Sequence, residues 1–242
     1  MKNLKEKKGK IMLIEKNRSI IPACDVQTDY ELLELVLKTH EHPAVGAYKI
    51  GFSLALSYGL PHLIRDVKHI TKKPIIYDHQ KAGNDIPKMG ENFAKVCADA
   101  GVDAVILFPF TGHMTQNVWQ SACKHKGLHV IVGGEMTHPG FTDYISEEDS
   151  TAIYKMAADT GIRDFVVPGN KPDRIKFYRD LCLTRSNTQE EPIFYSPGLI
   201  TQGGDISEAG EAAGDRWHAI VGRALYTADD PYKMLDILSN QL

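Results

Sequence analysis

The feature that most constrains the fold of this chain is a regular alternation of two kinds of segment. Eight short apolar runs, rich in β-branched and aromatic residues, are separated by segments with helical periodicity. The runs are SIIPACD, AVGAYKIG, KPIIYD, VDAVILF, LHVIVGG, RDFVVPG, PIFYSPG and HAIVGRA. Eight strands alternating with helices in 242 residues are typical of one α/β domain, the (β/α)8 or TIM barrel.

The competing architecture is an open doubly wound sheet. That fold would favour a glycine-rich GxGxxG turn after the first strand, and the chain has ACDVQTDYE there instead. We therefore predict a single-domain barrel over residues 19–242, preceded by a basic, solvated lead-in over residues 1–18. Between the second and third strands, the stretch LALSYGLPHLIRDVKHIT is assigned to helix.

Composition argues against several classes of protein. A formal net charge of −3 is not that of a dedicated nucleic-acid binder. No apolar stretch approaches the roughly 18 residues that cross a membrane, and the lead-in lacks the apolar core of a signal peptide. The four cysteines are far apart and form no CxxC pair, which favours reduced thiols in a cytoplasmic protein over disulfides or a zinc site.

In a TIM barrel, catalytic groups come from the carboxyl-terminal ends of the strands and from the loops that follow them. The polar residues and glycines at those positions are Asp25, Lys49, Asp78, Lys81, Asp85, Thr137, His138, Gln202, Gly203, Gly204, Gly222 and Arg223. Each has a structural alternative: Asp25 could cap the next helix, and Asp78 with Lys81 could form a plain ion pair. Because the whole set converges on one rim, we predict an active site there.

The stretch IIYDHQKAGNDIPKMG, residues 75–90, places Asp78, His79, Lys81 and Asp85 within a few residues, directly after an apolar run. Charged side chains at such a position need partners or a function, since desolvating them unpaired is costly. A histidine beside a strand end, such as His79 or His138, is more often a hydrogen-bonded structural residue than a base or a ligand. The sequence has no HExxH motif and no cluster of His and Cys, so no metal site is predicted.

The loops after the seventh and eighth strands contain the segments SPGLITQGGD and IVGRALY. In TIM barrels these two loops often bind phosphate through backbone N–H groups, and the glycines let the backbone approach an anion. Arg223 adds a guanidinium that can bind the same anion through two hydrogen bonds. The implied ligand is a phosphorylated small molecule.

Taken in order, six segments resemble the orotidine 5′-phosphate decarboxylase family. They are ACD, YKIG, YDHQKAGNDIP, GGEMTHPG, SPGLITQGGD and IVGRALY, and the resemblance extends from Ile20 to about Pro231. It implies a homodimeric TIM barrel that converts orotidine 5′-phosphate to UMP and CO2 in de novo pyrimidine synthesis. The family uses no metal and no organic cofactor, so none is expected here.

The resemblance also implies a role for individual residues. Lys49, Asp78, Lys81 and Asp85 would form the family's charged catalytic array, with Lys81 as the proton donor and Asp85 reaching in from the partner subunit. The implied substrate contacts are Asp25 with Lys49 at the ribose, Thr137 at the pyrimidine edge, Ile86 across the dimer interface, Pro197 in the seventh-strand loop, and Gln202, Gly203, Gly222 and Arg223 at the phosphate.

One departure from the family pattern lies in the charged array. The family usually has Asp-x-Lys-x-x-Asp-Ile, whereas this chain has Asp78-x-x-Lys81-x-x-x-Asp85-Ile86. Two extra residues have entered, so the loop must bulge to keep Lys81 over the substrate. Gly83 is expected to supply the flexibility for that bulge.

Three alternatives stay open at this point. In a shifted register, His79 or Gln80 would point into the site in place of Lys81. A second alternative is a Mg²⁺-dependent sugar-phosphate decarboxylase or hexulose-phosphate synthase of the same superfamily. Those relatives typically have Glu at the strand-two position, where this chain has Lys49. A third is a non-catalytic nucleotide-phosphate binding protein, which the altered spacing allows.

Overall fold

A computed structural model of the chain describes residues 12–79, 82–185 and 191–242. Within these ranges, eight parallel strands form a closed barrel in chain order, with β8 paired to β1. The predicted TIM barrel is confirmed. The strands are β1 (Arg18–Cys24), β2 (Tyr48–Gly51), β3 (Ile75–Asp78), β4 (Ala104–Leu107), β5 (His129–Gly133), β6 (Asp164–Val166), β7 (Ile193–Ser196) and β8 (Trp217–Val221).

Helices connect successive strands. They are α1 (Asp29–Thr39), α2 (Phe52–Tyr58), α3 (Leu60–Ile70), α4 (Met89–Asp99), α5 (His113–His125), a 3-10 helix (Pro139–Asp143), α6 (Glu147–Asp159), α7 (Pro172–Arg185), α8 (Ile206–Ala213), α9 (Arg223–Tyr226) and α10 (Pro231–Ser239). The helical stretch predicted after β2 forms two helices, because the backbone turns at Gly59 with a φ of 81°. Helices α9 and α10 follow β8, in a stretch to which no helix is assigned from the sequence. No helix in the described ranges is long and apolar enough to cross a membrane.

Local sequence signals define several helix ends. Thr28 and Glu31 form a capping box at the start of α1, since each side chain accepts a hydrogen bond from the other residue's backbone N–H. Ser146 and Asp149 form the same arrangement at the start of α6. Gly101 follows α4 with a φ of 85°, the left-handed conformation that ends many helices before a strand. These ends set the lengths of the loops that carry the site.

Successive strand residues alternate between the interior of the barrel and the layer beneath the helices. On β1, Ile21 belongs to the interior cluster and Ile20 to the outer one, and both are fully buried. Leu13 and Ile14 also belong to the interior cluster and are only 2% and 4% exposed. The prediction of a solvated lead-in is therefore wrong for these two residues. The Ile14 side chain packs against Gly46, before β2, where a Cβ on the glycine would lie only 2.9 Å from Cγ2 of Ile14.

Candidate active site

A cleft of about 500 Å³ lies at the carboxyl-terminal ends of the strands. It is lined by polar residues from several loops and by apolar side chains from the barrel interior. The predicted residues that line it are Asp25, Lys49, Asp78, Thr137, His138, Pro197, Gln202, Gly222 and Arg223. Residues that were predicted separately along the chain thus share one cavity.

Lys49 is the most buried of the predicted charged residues that the structure describes. Its side chain is 6% exposed, and its Nζ lies 3.2 Å from an oxygen of Asp25 and 3.2 Å from an oxygen of Asp78. The barrel register produces this grouping, because Lys49 pairs with Ala23 on β1 and Gly51 pairs with Asp78 on β3. One ammonium therefore bridges two carboxylates from the neighbouring strands.

The charge on Lys49 is maintained by these two carboxylates. Burial alone would lower the pKa of the ammonium, but the attraction of Asp78 and then of Asp25 outweighs it and raises the pKa above its ordinary value. Asp78 is mostly shielded, with 16% of its side chain exposed, whereas Asp25 is 46% exposed. The group can hold a fixed positive charge at the base of the cleft and present carboxylate oxygens to a ligand.

Gly51 is needed for the approach of Asp25. A Cβ atom on this glycine would lie 2.7 Å from Oδ1 of Asp25, which is closer than real Cβ contacts come. Because Gly51 has no side chain, the Asp25 carboxylate has room to lie within contact distance of Lys49.

The loop after β3 carries the remaining charged residues of the predicted array. Lys81 and its neighbour Gln80 lie outside the described residues. Asp85 is exposed, Ile86 is 61% exposed, and neither lines the cleft of its own chain. This placement leaves both residues accessible to a second subunit.

The part of this loop that follows Lys81 is attached to the loop after β4. Phe110 donates a backbone hydrogen bond of 2.7 Å to Oδ1 of Asn84, and the Thr111 hydroxyl donates one of 3.1 Å to the carbonyl of Gly83. Gly83 has a φ of 98°, which a residue with a side chain rarely adopts. The backbone freedom that the sequence predicts for Gly83 is thus used in the fold.

His79 lies outside the cleft. Its Nδ1 is 2.5 Å from the hydroxyl of Tyr77, and its ring makes edge contacts with Phe52 and Phe93, at centroid distances of 6.5 and 6.1 Å. The ring therefore packs between α2 and α4. The alternative register, in which His79 points into the site, disagrees with this position.

The opposite wall of the cleft is formed by the loops after β5 and β7. Thr137 lies so close to Gly198 that a Cβ on this glycine would be 2.5 Å from Cγ2 of Thr137 and 3.2 Å from Oε1 of Gln202. Gly198 has a φ of 87°, so the turn suits glycine for its backbone as well as for its space. The predicted base-facing and phosphate-facing residues are therefore neighbours.

Of the two loops predicted to bind phosphate, the one after β7 is closed by backbone hydrogen bonds. Gly204 donates to the carbonyl of Gly198 (3.1 Å), and Ile200 donates to the carbonyl of Gly204 (2.7 Å). Gly203 is exposed in the same turn and does not itself line the cleft. Gly222 and the exposed Arg223 follow β8 directly, and both line the cleft. An anion bound here would meet one guanidinium and glycine-rich backbone.

A buried carboxylate that the sequence does not predict, that of Glu135, also lines the cleft. Glu135 follows β5, is 5% exposed, and accepts hydrogen bonds from Lys171 (3.0 Å), Arg174 (2.8 Å) and the Tyr178 hydroxyl (2.6 Å). Burial raises the pKa of this carboxyl, but the hydrogen bonds from Tyr178, Lys171 and Arg174 outweigh it, and the pKa lies below its ordinary value. Each of its oxygens accepts at least one hydrogen bond, so Glu135 ties the loop after β5 to Lys171 and to α7.

Apolar side chains form the floor of the cleft. Ile106, Phe108, Val166 and Ile220 project from the barrel interior into the cleft. Among the described residues, no group of three or more His, Cys, Asp and Glu side chains could hold a metal ion. The site combines an apolar floor with a charged cluster on one side and glycine-rich turns on the other.

The fold and the cleft define a TIM barrel with a small-molecule site at its carboxyl-terminal rim. The chain belongs to the orotidine 5′-phosphate decarboxylase / HUMPS family, whose model matches residues 18–236. An orotidine 5′-phosphate decarboxylase of Methanosarcina mazei is 34% identical over 218 residues, which cover 90% of this chain and 92% of that protein. One of Methanococcus maripaludis is 29% identical over 209 residues, covering 86% and 90%.

Solved structures agree with this assignment. The orotidine 5′-monophosphate decarboxylase of Methanocaldococcus jannaschii, complexed with the inhibitor BMP, superposes with a TM-score of 0.82 at 26% identity, covering 93% of this chain and 98% of that one. The orotidine 5′-phosphate decarboxylase of Pyrococcus horikoshii gives a TM-score of 0.76 at 26% identity, covering 92% and 98%. Both the fold and the family membership predicted from the sequence are confirmed.

Proposed function

We propose that this protein is an orotidine 5′-phosphate decarboxylase, a carboxy-lyase that converts orotidine 5′-phosphate to UMP and CO2. The observation that carries the proposal is the Lys49 ammonium, which lies 3.2 Å from both Asp25 and Asp78 at the cleft of a chain from this family. Relatives that bear this enzyme's name align with about nine-tenths of the chain.

The substrate binds through its phosphate at one end and through its ribose and pyrimidine at the other. Its phosphate binds Arg223 and the backbone around Gln202, Gly203 and Gly222, where an anion gains charge-assisted hydrogen bonds. Asp25 and Lys49 bind the ribose hydroxyls. Thr137 meets the polar edge of the pyrimidine, and Pro197 contacts the substrate from the same wall. Lys49, Thr137 and Arg223 line one continuous cleft, which supports this arrangement.

The reaction breaks the bond between C6 of the pyrimidine and its carboxylate. The electron pair of that bond stays on C6, and CO2 leaves. Lys81 is the proton donor: its ammonium stabilises the developing charge at C6 and then transfers one proton to it. Asp78 lies beside the substrate carboxylate, where repulsion is relieved as CO2 departs. The binding energy of the distant phosphate contributes to closure around the reacting carbon.

The protein acts as a homodimer in the cytoplasm, with each active site shared between two subunits. Asp85 and Ile86 belong to the site of the partner subunit, where Asp85 helps to hold Lys81 in place. Their exposure outside their own cleft supports this assignment. No metal or organic cofactor takes part.

The family name also covers the HUMPS group, so a Mg²⁺-dependent sugar-phosphate enzyme is the second candidate. A cation bound between Asp25 and Asp78 would have to displace Lys49, which contacts both carboxylates. A metal cation and the Lys49 ammonium are both positive, and placed side by side in a partly buried site they would repel each other strongly. The position of Lys49 therefore favours the metal-independent decarboxylase.

The deciding experiment is the loss of ultraviolet absorbance when orotidine 5′-phosphate is added, with and without EDTA. We expect turnover at the same rate in both. No turnover of orotidine 5′-phosphate, together with decarboxylation of a sugar phosphate that EDTA abolishes and Mg²⁺ restores, would favour the second candidate. Tight binding of UMP without any turnover would instead indicate a non-catalytic nucleotide-binding protein.

A further inference from the structure

The loop between β6 and α7 holds two successive carbonyl groups of the segment Met136–His138. The Nζ of Lys171 donates to the carbonyl of Met136 at 3.2 Å, and Nδ2 of Asn170 donates to the carbonyl of Thr137 at 3.1 Å. These carbonyls belong to the peptide groups on either side of Thr137. Because peptide groups are planar, restraining both of them restrains the φ and ψ angles of Thr137 and hence the direction of its Cα–Cβ bond.

Lys171 has a second partner that holds its ammonium in place. Its Nζ lies 3.0 Å from Oε1 of Glu135, while Arg174 and Tyr178 bind the other oxygen of that carboxylate. Arg174 also reaches Glu147 at the start of α6 and lies 4.9 Å from the ring centroid of Tyr178. Removing Lys171 alone therefore leaves Glu135 with a cation and a hydroxyl, so the fold does not lose the partner of a buried charge.

We propose that Lys171 is a positioning residue that sets the orientation of Thr137 toward the base of the bound nucleotide. This inference rests on the proposed function, because it takes Thr137 to face the pyrimidine. Lys171 does not line the cleft and acts only through the Met136 carbonyl and Glu135. Its effect should appear in recognition of the base and not in recognition of the phosphate.

The test uses two ligands, UMP and ribose 5-phosphate. Both have the phosphate and the ribose, but only UMP has a base. Lys171→Met should weaken UMP binding by up to about tenfold, the value of one neutral hydrogen bond between Thr137 and the base, and leave ribose 5-phosphate binding unchanged. Lys171→Arg, which can still donate to both partners, should recover most of the loss. In a Thr137→Ala background, Lys171→Met should have little further effect, since the two changes act on the same contact.

Lys68 provides a matched control. Its Nζ also binds one carbonyl, that of Gly101 at 2.6 Å, and one carboxylate, that of Asp103 at 3.1 Å, but it lies on α3 outside the cleft. Lys68→Met should leave the ratio of UMP to ribose 5-phosphate affinity unchanged. Equal weakening of both ligands by Lys171→Met, or no weakening of UMP, would overturn the inference.

A second measurement does not depend on the ligand. The backbone order parameters of Thr137 and His138, measured by ¹⁵N relaxation in the free protein, should fall in Lys171→Met and stay unchanged in Lys68→Met. Unchanged order parameters in both variants would contradict the positioning role. If the parent protein neither binds UMP nor decarboxylates orotidine 5′-phosphate, the proposed function fails, and the relaxation measurement still decides whether Lys171 orders this segment.

Discussion

Thr137 and Gly198 face each other so closely that no side chain fits between them: a Cβ on Gly198 would lie 2.5 Å from Cγ2 of Thr137. The contact joins the loop after β5 to the loop after β7. In the proposed function these loops hold the base and the phosphate of one substrate. A change at Gly198 should therefore disturb both ends of the substrate at once.

We predict that Gly198→Ala lowers kcat/KM by about 10- to 100-fold, because a displacement near 1 Å in a binding wall has effects of this size. The control is Gly127→Ala, where φ is 78° and no atom lies within 4 Å of the added Cβ. Both variants have the strain of a side chain on a left-handed backbone, about 1 kcal/mol or more. The melting temperature of both should therefore be lower than that of the parent. Only Gly198→Ala should lose activity; equal activity losses would mean that strain, not the contact, is responsible.

Lys81→Ala should abolish turnover and leave UMP binding largely intact. The reason is that a proton donor acts in the transition state, whereas UMP is bound through its phosphate, ribose and base. Steady-state rates and equilibrium binding of UMP measure the two effects separately. His79→Ala is the companion variant, because the His79 ring packs outside the cleft. Turnover that survives Lys81→Ala but is lost in His79→Ala would reverse the assignment of the donor.

Arg223→Ala should mainly weaken binding of the phosphate. A charge-assisted hydrogen bond contributes about 1.5–3 kcal/mol, so UMP affinity should fall roughly 10- to 100-fold. Phosphite dianion should partly restore turnover of a substrate that lacks its phosphate in the parent protein, and less so in the variant. Arg65→Ala, at an exposed arginine of α3 that pairs with Asp66, is the control and should bind UMP like the parent. Identical kinetics for Arg223→Ala and the parent would place the phosphate elsewhere.

The strand positions can be predicted from the sequence because strands of a parallel barrel are buried on both faces and read as continuous apolar runs. The run KPIIYD contains β3, which ends at Asp78, so the place of this residue at the rim follows from the run. The break between α2 and α3 does not follow from apolar periodicity. Its only local signals are Gly59 and Pro61, within two residues of each other.

Glu135 illustrates what the sequence does not reveal. It stands in GGEMTHPG, and its partners Lys171 and Arg174 are 36 and 39 residues further along the chain. A pairing between side chains of different loops depends on the curvature of the barrel, which no local pattern encodes. The one available signal is a carboxylate directly after a buried apolar run, the same signal that identifies Asp78.

Acid should destabilise the fold through His218 on β8. This imidazole is 1% exposed and lies 2.8 Å from the Ser19 hydroxyl, and its pKa is lowered to about 3 by burial and then by the charge of Arg216. An unfolded histidine binds a proton near pH 6.5, whereas the folded one stays neutral until about pH 3. Between these values the unfolded state binds more protons, so the free energy of unfolding falls as the pH falls.

The measurement is chemical unfolding at pH 6.5 and pH 5, where carboxylates change little. For the parent, His218 should contribute a loss of about 2 kcal/mol over this interval. His218→Asn should remove that contribution, although its stability at pH 7 will be lower because a core side chain has changed. His125→Asn, at an exposed position on α5, should keep the pH dependence of the parent. The same slope in His218→Asn and the parent would assign the acid sensitivity to another group.

Mixing subunits that have different substitutions tests whether each active site combines residues of both subunits. If Asp85 serves the site of the partner subunit, homodimers of Lys81→Ala and homodimers of Asp85→Ala should both be nearly inactive. In a mixed dimer, one site carries both substitutions and the other carries neither. Random refolding of an equal mixture gives roughly half mixed dimers, each with one intact site under two-fold symmetry, so about a quarter of the parent activity should return. If Asp85 acts within its own subunit, every active site in a mixed dimer has one of the two substitutions, and no activity should return. A refolded mixture that stays inactive, with mixed dimers verified by mass, would falsify the shared site.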